Sequence, residues 1–176
     1  PGGESGRSLE CDSAVSLLQR LKGSPPLPIT YEYGEKGKPY FADLPFCFSL
    51  SHSGEYVLCA LSREEVGADI QQHRKIFSGQ IAARFFTKQE QDALAGCGER
   101  EFFFRLWSRK EAFGKLTGGG IMDSLEVNLL PGARSRPPGV KKLCFEEYDN
   151  IAGYSIAVCY YGGKYNEKAD EVFEEL

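Results

Sequence analysis

The fold is organised around the segment Phe102-Phe-Phe-Arg-Leu-Trp-Ser-Arg-Lys-Glu-Ala-Phe-Gly-Lys-Leu-Thr-Gly-Gly-Gly120. Trp107, Glu111 and Lys115 recur every four residues, which places them along one face of a helix. A second face carries apolar side chains that can pack against a core: Phe102, Leu106, Phe113 and Leu116. The three glycines end the helix, because glycine tolerates the left-handed backbone found after a helix C-terminus. The segment therefore predicts a helix from residue 99 or 101 to 117 that carries an acid and a base.

The composition is that of an ordinary globular domain. With 41% hydrophobic residues among 176, the chain can bury a core without disulfides or structural metals. The formal net charge of −4 argues against broad electrostatic binding to nucleic acid or to an anionic membrane. No apolar run reaches the roughly 20 residues needed to cross a bilayer, and no secretory signal opens the chain. The six cysteines form no CxxC pair and only two histidines are present, so we expect free thiols in a reducing cytoplasm rather than disulfides or zinc.

Residue patterns on either side of the central helix predict an α+β fold. Apolar residues at helical spacing predict a helix over 12–22, and a helical region over 78–95 restarts at Thr87, which forms a capping-box pattern with Glu90. The acidic tail over 166–176 is expected to fray or to form a short helix. Runs of β-forming residues predict strands over 29–33, 47–51, 56–61, 66–71, 124–130, 142–148 and 154–161.

The order of these elements resembles one pattern used twice. Each half places helices on a mostly antiparallel sheet, which gives a pseudo-two-fold pair of similar α/β halves. The N-terminal half is predicted over 1–65, the C-terminal half with the metal and catalytic motifs over 66–165, and the acidic tail over 166–176. No sequence repeat accompanies the pattern.

An acid on the predicted strand 66–71 is the expected partner of the acid on the helix. With a period of two, Asp69 and Gln71 share one strand face with Gly67, whose missing side chain leaves room for something to approach the backbone. Oxygen ligands from Asp69, Gln71 and Glu111, completed by water and phosphate oxygens, suit Mg²⁺ better than zinc or iron.

Basic side chains near these acids would bind phosphate oxygens. Lys115 is close to the helix acid, and Lys38 and His52 could supply further positive charge. His52 is predicted in a hairpin loop that presents Ser51, His52 and Ser53 together. These residues predict phosphoryl-group chemistry on a nucleotide-like ligand.

Each of these features also has a purely structural explanation. A glutamate and a lysine four residues apart on a helix also form a surface ion pair worth about 0.3–0.5 kcal/mol. The polar side chains over 66–71 also fit an exposed strand face, and the serines beside His52 could cap their own turn. The local sequence leaves these alternatives open.

Five motifs taken together resemble the 4′-phosphopantetheinyl transferases of the Sfp type. They cover roughly residues 36–130 in the order and spacing of that family: Gly37-Lys-Pro39, Phe48-Ser-Leu-Ser-His-Ser53, Val66-Gly-Ala-Asp-Ile-Gln71, Arg84-Phe-Phe-Thr-Lys-Gln-Glu90 and Trp107-Ser-Arg-Lys-Glu-Ala-Phe-Gly-Lys115. The resemblance implies a monomer of two α+β halves, with coenzyme A as co-substrate in the cleft between them and Mg²⁺ as cofactor on its pyrophosphate. It implies an enzyme that transfers phosphopantetheine to a serine hydroxyl of an acyl or peptidyl carrier protein and releases adenosine 3′,5′-bisphosphate.

The resemblance also assigns roles to the residues that match its motifs. Asp69 and Glu111 match the metal-binding acids, and Glu111 matches the residue that activates the carrier serine, directly or through a water. Lys115 matches a catalytic lysine on the phosphates. Gln71 stands where many members have a second acid, so it is either a neutral metal ligand or is replaced by water.

Three further positions match contacts to coenzyme A: Lys38, together with Ser51 and His52 at the 3′-phosphate end. Two other functions stay compatible with the sequence, a non-catalytic module that binds coenzyme A or a carrier protein, and a generic Mg²⁺ phosphohydrolase. Carrier proteins of this system present an acidic helix, so exposed basic residues are possible contacts, with a solvated helix face as the alternative: Arg74, Lys75, Arg84 and Lys88.

Overall fold

A computed structural model describes residues 31–76, 78–97, 100–133, 142–162 and 171–175. The helix expected over 12–22 lies outside these residues. The described elements are, in order, β1 Tyr31–Tyr33, β2 Pro39–Phe41, β3 Cys47–Ser53, β4 Tyr56–Ser62, β5 Val66–Gln72, α1 Ser78–Phe85, α2 Lys88–Cys97, α3 Arg100–Thr117, a 3-10 helix Gly120–Ser124, β6 Lys142–Tyr148, β7 Tyr154–Gly162 and β8 Glu171–Glu175. Among the described helices, none is both long and apolar enough to span a bilayer.

The strands pair in antiparallel fashion throughout the described residues. They form a two-stranded sheet β1-β2 and two three-stranded sheets, β3-β4-β8 and β5-β7-β6. Strands β3 and β4 form a tight hairpin that turns at Gly54, whose φ of 60° is the left-handed region that favours glycine. Antiparallel sheets with helices packed on them confirm the α+β fold class. The boundary between two halves near residue 65 stays a prediction.

The acidic tail is a strand where the structure describes it. β8 pairs with β4 from Tyr56 to Ala60, so the expectation of a frayed or helical tail is wrong. The second edge of β4 would otherwise present unpaired backbone N–H and C=O groups, and β8 supplies their partners. Strand β8 is therefore the third strand of the sheet that β3 and β4 form.

Helix α3 is confirmed as the central element, and it ends at Thr117 before Gly118, which has a φ of 75°. It packs against β5 and β7 and is buried on more of its circumference than its apolar pattern predicted. Phe102 and Phe113 are only half-buried, whereas several polar side chains are buried: Ser108, Arg109 and Lys110.

The strand predicted over 124–130 does not form, although its residues alternate like a strand. Side chains from the helices and hydrogen bonds within the segment, rather than a neighbouring strand, satisfy its backbone. Lys110 donates to two of its carbonyl oxygens, Glu90 accepts the Leu129 N–H, and Arg109 donates to the Leu129 carbonyl. Because these backbone groups already have hydrogen-bond partners, the segment does not need to pair with a strand. Its alternation reflects which side chains are buried, not membership of a sheet.

The capping box at the start of α2 is confirmed, and its glutamate also forms an ion pair with α3. The Thr87 N–H donates to the Glu90 carboxylate at 2.7 Å, and the Glu90 N–H donates to the Thr87 hydroxyl at 3.3 Å. Glu90 also forms an ion pair with Lys110 at 2.9 Å, and both side chains are 0% exposed. The pair joins α2 and α3 to segment 124–130.

Candidate functional site

Gly67 brings strand β5 and helix α3 into backbone contact. A Cβ atom at this glycine would lie 2.0 Å from the Ala112 carbonyl oxygen and 2.4 Å from the Leu116 backbone nitrogen. The sequence predicted room for something to approach at this point, and the helix itself occupies that room. Asp69 lies two residues further along the same strand face, so its side chain also meets the helix.

Asp69 is held by two donors on one carboxylate oxygen. The Ser51 hydroxyl donates to Oδ1 at 2.8 Å, and the Lys115 ammonium donates to the same oxygen at 2.9 Å. The residue is 5% exposed, and its second oxygen, Oδ2, has no hydrogen-bond partner among the residues that the structure describes. A buried carboxylate oxygen without a partner is costly, so this atom is available to a ligand from outside the chain.

Glu111 lies half-buried on α3, one helical turn before Lys115. Burial raises the pKa of the Glu111 carboxyl, the Asp69 carboxylate raises it further, and the Lys115 ammonium opposes both effects. Two acids and a lysine thus interact at the contact between β5 and α3. The three residues carry a net negative charge when both acids are ionised.

The residues present fit a hard divalent cation. Within the described ranges no group of three His, Cys, Asp or Glu side chains is arranged to hold a metal, so a cation here would need Gln71 or water beside the two acids. Gln71 is half-buried and shares the strand face of Asp69. A cation would give Asp69 Oδ2 a partner and would relieve the repulsion between Asp69 and Glu111.

Neutralising Asp69 should lower the pKa of Glu111 in the metal-free protein. Asp69→Asn removes a negative charge that raises this pKa, and Lys115→Met should shift it in the opposite direction. A pH titration of the Glu111 carboxyl ¹³C resonance measures both shifts. Because the folded-state pKa of Glu111 is raised, the contribution of this group to stability is lost as pH rises from its ordinary pKa of 4.5 through the folded-state pKa. Unchanged values in both variants would contradict the coupling.

A cleft of about 290 Å³ opens beside Lys115 and is lined by the turn before β2, by β3 and by the glycines after α3. Lys36, Lys38 and Lys115 all line it, which favours a polyanionic ligand such as a diphosphate. The Lys38 ammonium contacts the Glu65 carboxylate and donates to the carbonyl oxygens of Val66 at 3.3 Å and Leu116 at 3.2 Å. Lys38 therefore connects the turn before β2, which lines the cleft, to the start of β5 and the end of α3.

Lys36 was not among the residues predicted from the sequence. A signal was available, because the turn Gly34-Glu-Lys-Gly-Lys38 contains two lysines of which only the second was selected. The turn closes by hydrogen bonds between Gly34 and Lys38 and between Gly37 and Gly34, which holds both lysines beside the same cleft.

The predicted hairpin loop with Ser51, His52 and Ser53 is wrong. All three residues belong to β3, whose last pair with β4 joins Ser53 to Tyr56. Strand alternation buries Ser51 and Ser53 on one side, whereas His52 is exposed on the other. The structure therefore joins Ser51 to Asp69, Glu111 and Lys115, and it separates His52 from that group.

Three serines join β3 to β5, and we call Ser49, Ser51 and Ser53 the serine row. Their hydroxyl oxygens accept backbone N–H groups of β5 at 2.9, 3.2 and 3.0 Å, from Ala68, Ile70 and Gln72 respectively. The sequence suggested a turn cap for Ser51 and Ser53 and a ligand contact for Ser51, and this junction was missed. The signal was a serine at every second position of Phe48-Ser-Leu-Ser-His-Ser53, which is the period of one strand face.

Similarity to known proteins extends over most of the chain. The model of the 4′-phosphopantetheinyl transferase superfamily matches residues 65–159. The chain is 35% identical over 157 residues to the 4′-phosphopantetheinyl transferase Sfp of Bacillus subtilis (strain 168), covering 84% of this chain and 68% of the relative. It is 37% identical over 153 residues to the 4′-phosphopantetheinyl transferase psf-1 of Bacillus pumilus, covering 81% and 65%.

A third relative, the 4′-phosphopantetheinyl transferase ffp of Bacillus subtilis, is 38% identical over 141 residues, covering 74% of this chain and 62% of the relative. The chain thus spans about two thirds of the length of these relatives. The family match covers more than half of the chain and includes Asp69, Glu111 and Lys115. It confirms the resemblance carried by the five motifs. The chain therefore belongs to the 4′-phosphopantetheinyl transferase superfamily.

Proposed function

We propose that this chain transfers the 4′-phosphopantetheine group from coenzyme A to a serine hydroxyl of an acyl or peptidyl carrier protein. Adenosine 3′,5′-bisphosphate is the product that leaves. The relatives are named as transferases of this group. The single observation that carries the proposal is the convergence of Asp69, Glu111 and Lys115 at the contact between β5 and α3.

Mg²⁺ is the proposed cofactor, and Asp69 and Glu111 are the residues that would hold it. Gln71 is proposed as a third, neutral oxygen ligand, directly or through a water. When bound, the ion would supply positive charge to the phosphate oxygens of coenzyme A. The unpartnered Oδ2 of Asp69 supports this assignment, because a hard cation is the type of partner that a carboxylate oxygen prefers.

Glu111 is proposed as the base that takes the proton of the carrier serine. A serine hydroxyl is a weak nucleophile until its proton is accepted, and a positioned base contributes about 10²–10⁴-fold to the rate. Its burial and the nearby Asp69 carboxylate raise the pKa of Glu111, which makes its ionised form a stronger proton acceptor than an exposed glutamate. The position of Glu111 on α3 supports this role, because Lys115, one helical turn later, lines the cleft proposed for the phosphates.

The cleft beside α3 is proposed to bind coenzyme A. Lys115 lines this cleft and also donates to Asp69, so its ammonium can contact both the phosphates and the metal-binding acid. Lys38 is proposed as a second contact to coenzyme A. His52 and the adjoining Ser51 are proposed to contact the 3′-phosphate end of coenzyme A. The exposed His52 would make this contact through its side chain.

The proposed protein partner is a carrier protein that presents an acidic helix. Three of the basic residues selected by position are exposed and are available for such a contact: Arg74, Lys75 and Arg84. Lys88 is also exposed but forms an ion pair with Asp92 at 2.6 Å. The working form is proposed to be a cytoplasmic monomer with no nucleic-acid or membrane partner, since a net charge of −4 gives no broad attraction to either.

Replacing the proposed base tests this function directly. Glu111→Gln should slow transfer by about 10²–10⁴-fold, because glutamine keeps the shape but cannot accept the proton. The measurement is the intact mass of an apo carrier protein after incubation with coenzyme A and Mg²⁺. Glu101→Gln is the matched control, because Glu101 is exposed on the same helix, and it should transfer at the wild-type rate.

The same assay separates the transferase from its alternative. If the wild-type chain binds coenzyme A but adds no phosphopantetheine mass to any of several carrier proteins, the chain is a non-catalytic binding module. If Glu111→Gln transfers as fast as Glu101→Gln, the chain is a transferase with a different base.

A further inference from the structure

Ser51 differs from the other members of the serine row in what its hydroxyl donates to. All three hydroxyl oxygens accept an N–H of β5, and each hydroxyl keeps one hydrogen to donate. Ser51 donates it to Asp69 Oδ1 at 2.8 Å. In the described part of the chain, neither Ser49 nor Ser53 donates to a carboxylate.

The Ser51 hydroxyl is fixed from two sides. It accepts the N–H of Ile70, the residue next to Asp69 in β5, and it donates to the side chain of Asp69 itself. The residue is 6% exposed, so water does not compete freely for these bonds. The backbone of β5 thus holds the hydroxyl that orients a carboxylate of the same strand.

This orientation decides which carboxylate oxygen stays free. Oδ1 receives both the Ser51 hydroxyl and the Lys115 ammonium, and the buried Oδ2 has no partner among the described residues. Without the Ser51 hydroxyl, the carboxylate could rotate and bring Oδ2 to the Lys115 ammonium, which has three hydrogens to donate. That rotation would remove the oxygen that a metal ion needs.

We propose that Ser51 is a positioning residue that keeps Asp69 Oδ2 available to a divalent cation. The inference rests on the proposed function, because that reaction is what requires the cation. Side chains that hold a metal ligand in place contribute about 10–100-fold to metal affinity. The role given to the Ser51 hydroxyl is independent of any contact with coenzyme A.

The test compares Ser51→Ala with Ser53→Ala. Each variant loses one hydroxyl that accepts an N–H of β5, but only Ser51→Ala loses the donor to Asp69. Mn²⁺ is titrated into the full chain without coenzyme A, and the free ion is followed by electron paramagnetic resonance. Ser51→Ala should bind Mn²⁺ about 10–100-fold more weakly than wild type, and Ser53→Ala within about twofold of it. Ser51→Thr, which keeps the hydroxyl, should restore most of the affinity.

A second readout separates positioning from a general loss of structure. In the transfer assay, Ser51→Ala should raise the Mg²⁺ concentration for half-maximal rate by about 10–100-fold, whereas Ser53→Ala should leave that concentration within about twofold of the wild-type value. A structural defect would instead lower the saturated rate in both alanine variants. Thermal unfolding establishes that each variant is folded at the assay temperature.

Two outcomes would overturn different conclusions. If Ser51→Ala and Ser53→Ala bind Mn²⁺ equally well, the positioning role is wrong and the proposed function stands. If the wild-type chain binds Mn²⁺ no better than Asp69→Asn and transfers no phosphopantetheine, the proposed function fails, and the inference about Ser51 fails with it.

Discussion

Lys110→Met is expected to lower the free energy of unfolding by about 3–5 kcal/mol, because it leaves the Glu90 carboxylate buried without a cation. Both side chains are 0% exposed and lie 2.9 Å apart. The Lys110 ammonium also donates to the carbonyl oxygens of Ser124 at 2.6 Å and Val127 at 3.1 Å. The substitution therefore also removes the ammonium donor from both carbonyl groups, although the Ser124 carbonyl keeps the Val127 N–H at 3.1 Å. Urea unfolding of the metal-free protein measures the loss.

An exposed ion pair in the same protein provides the control. Lys88 and Asp92 lie 2.6 Å apart on α2, but their side chains are 80% and 62% exposed. Lys88→Met should therefore change the free energy of unfolding by at most about 0.5 kcal/mol. The double substitution Lys110→Met with Glu90→Gln should recover part of the loss, because it removes the unpaired charge. A loss below about 1 kcal/mol for Lys110→Met would show that the buried pair is not what holds segment 124–130.

Gly67→Ala is expected to lower both stability and transfer activity. The added Cβ would lie 2.0 Å from the Ala112 carbonyl oxygen, so helix α3 must move away from β5. Overpacking of this kind costs about 1–3 kcal/mol or more. Glu111 and Lys115 would move with the helix while Asp69 stayed on the strand, and a displacement of about 1 Å at a reacting group can reduce the rate about 10²-fold.

Gly79→Ala is the matched control for this substitution. A Cβ at Gly79 in α1 meets no atom within 4 Å, so alanine should be neutral or should stabilise the helix by up to about 1 kcal/mol. Thermal unfolding and the carrier-protein mass assay compare the two variants. Wild-type activity and stability in Gly67→Ala would contradict the backbone contact between β5 and α3.

Local periodicity predicted the elements that carry the site. The helical spacing of Glu111 and Lys115 and the strand alternation through Asp69 are each visible in one short window of sequence. The chemistry of the two acids suggested the pairing of that strand with that helix, and the family resemblance then supported it. Pattern and motif together were sufficient to select Asp69, Glu111 and Lys115, which the structure brings together.

The remaining features depend on contacts between distant parts of the chain. Segment 124–130 alternates like a strand, but the side chains of Glu90, Arg109 and Lys110 bond to its backbone in place of a neighbouring strand. The pairing of β8 with β4 depends on an open strand edge more than a hundred residues earlier, which no local pattern of acidic residues reveals. Local sequence describes the shape of a segment well, but it does not show where the hydrogen bonds of its backbone go.

The serine row also has a consequence for how this protein can vary. An ordinary β ladder places little demand on amino-acid identity, because every residue except proline offers the same backbone groups. The junction between β3 and β5 instead needs a short side chain with an acceptor oxygen at alternate positions. Each serine replaced by alanine or valine removes one of the three bonds that join β3 to β5, whereas similar replacements within β4 leave its backbone pairing intact. Substitution tolerance should therefore alternate along β3, and a deep mutational scan would record it.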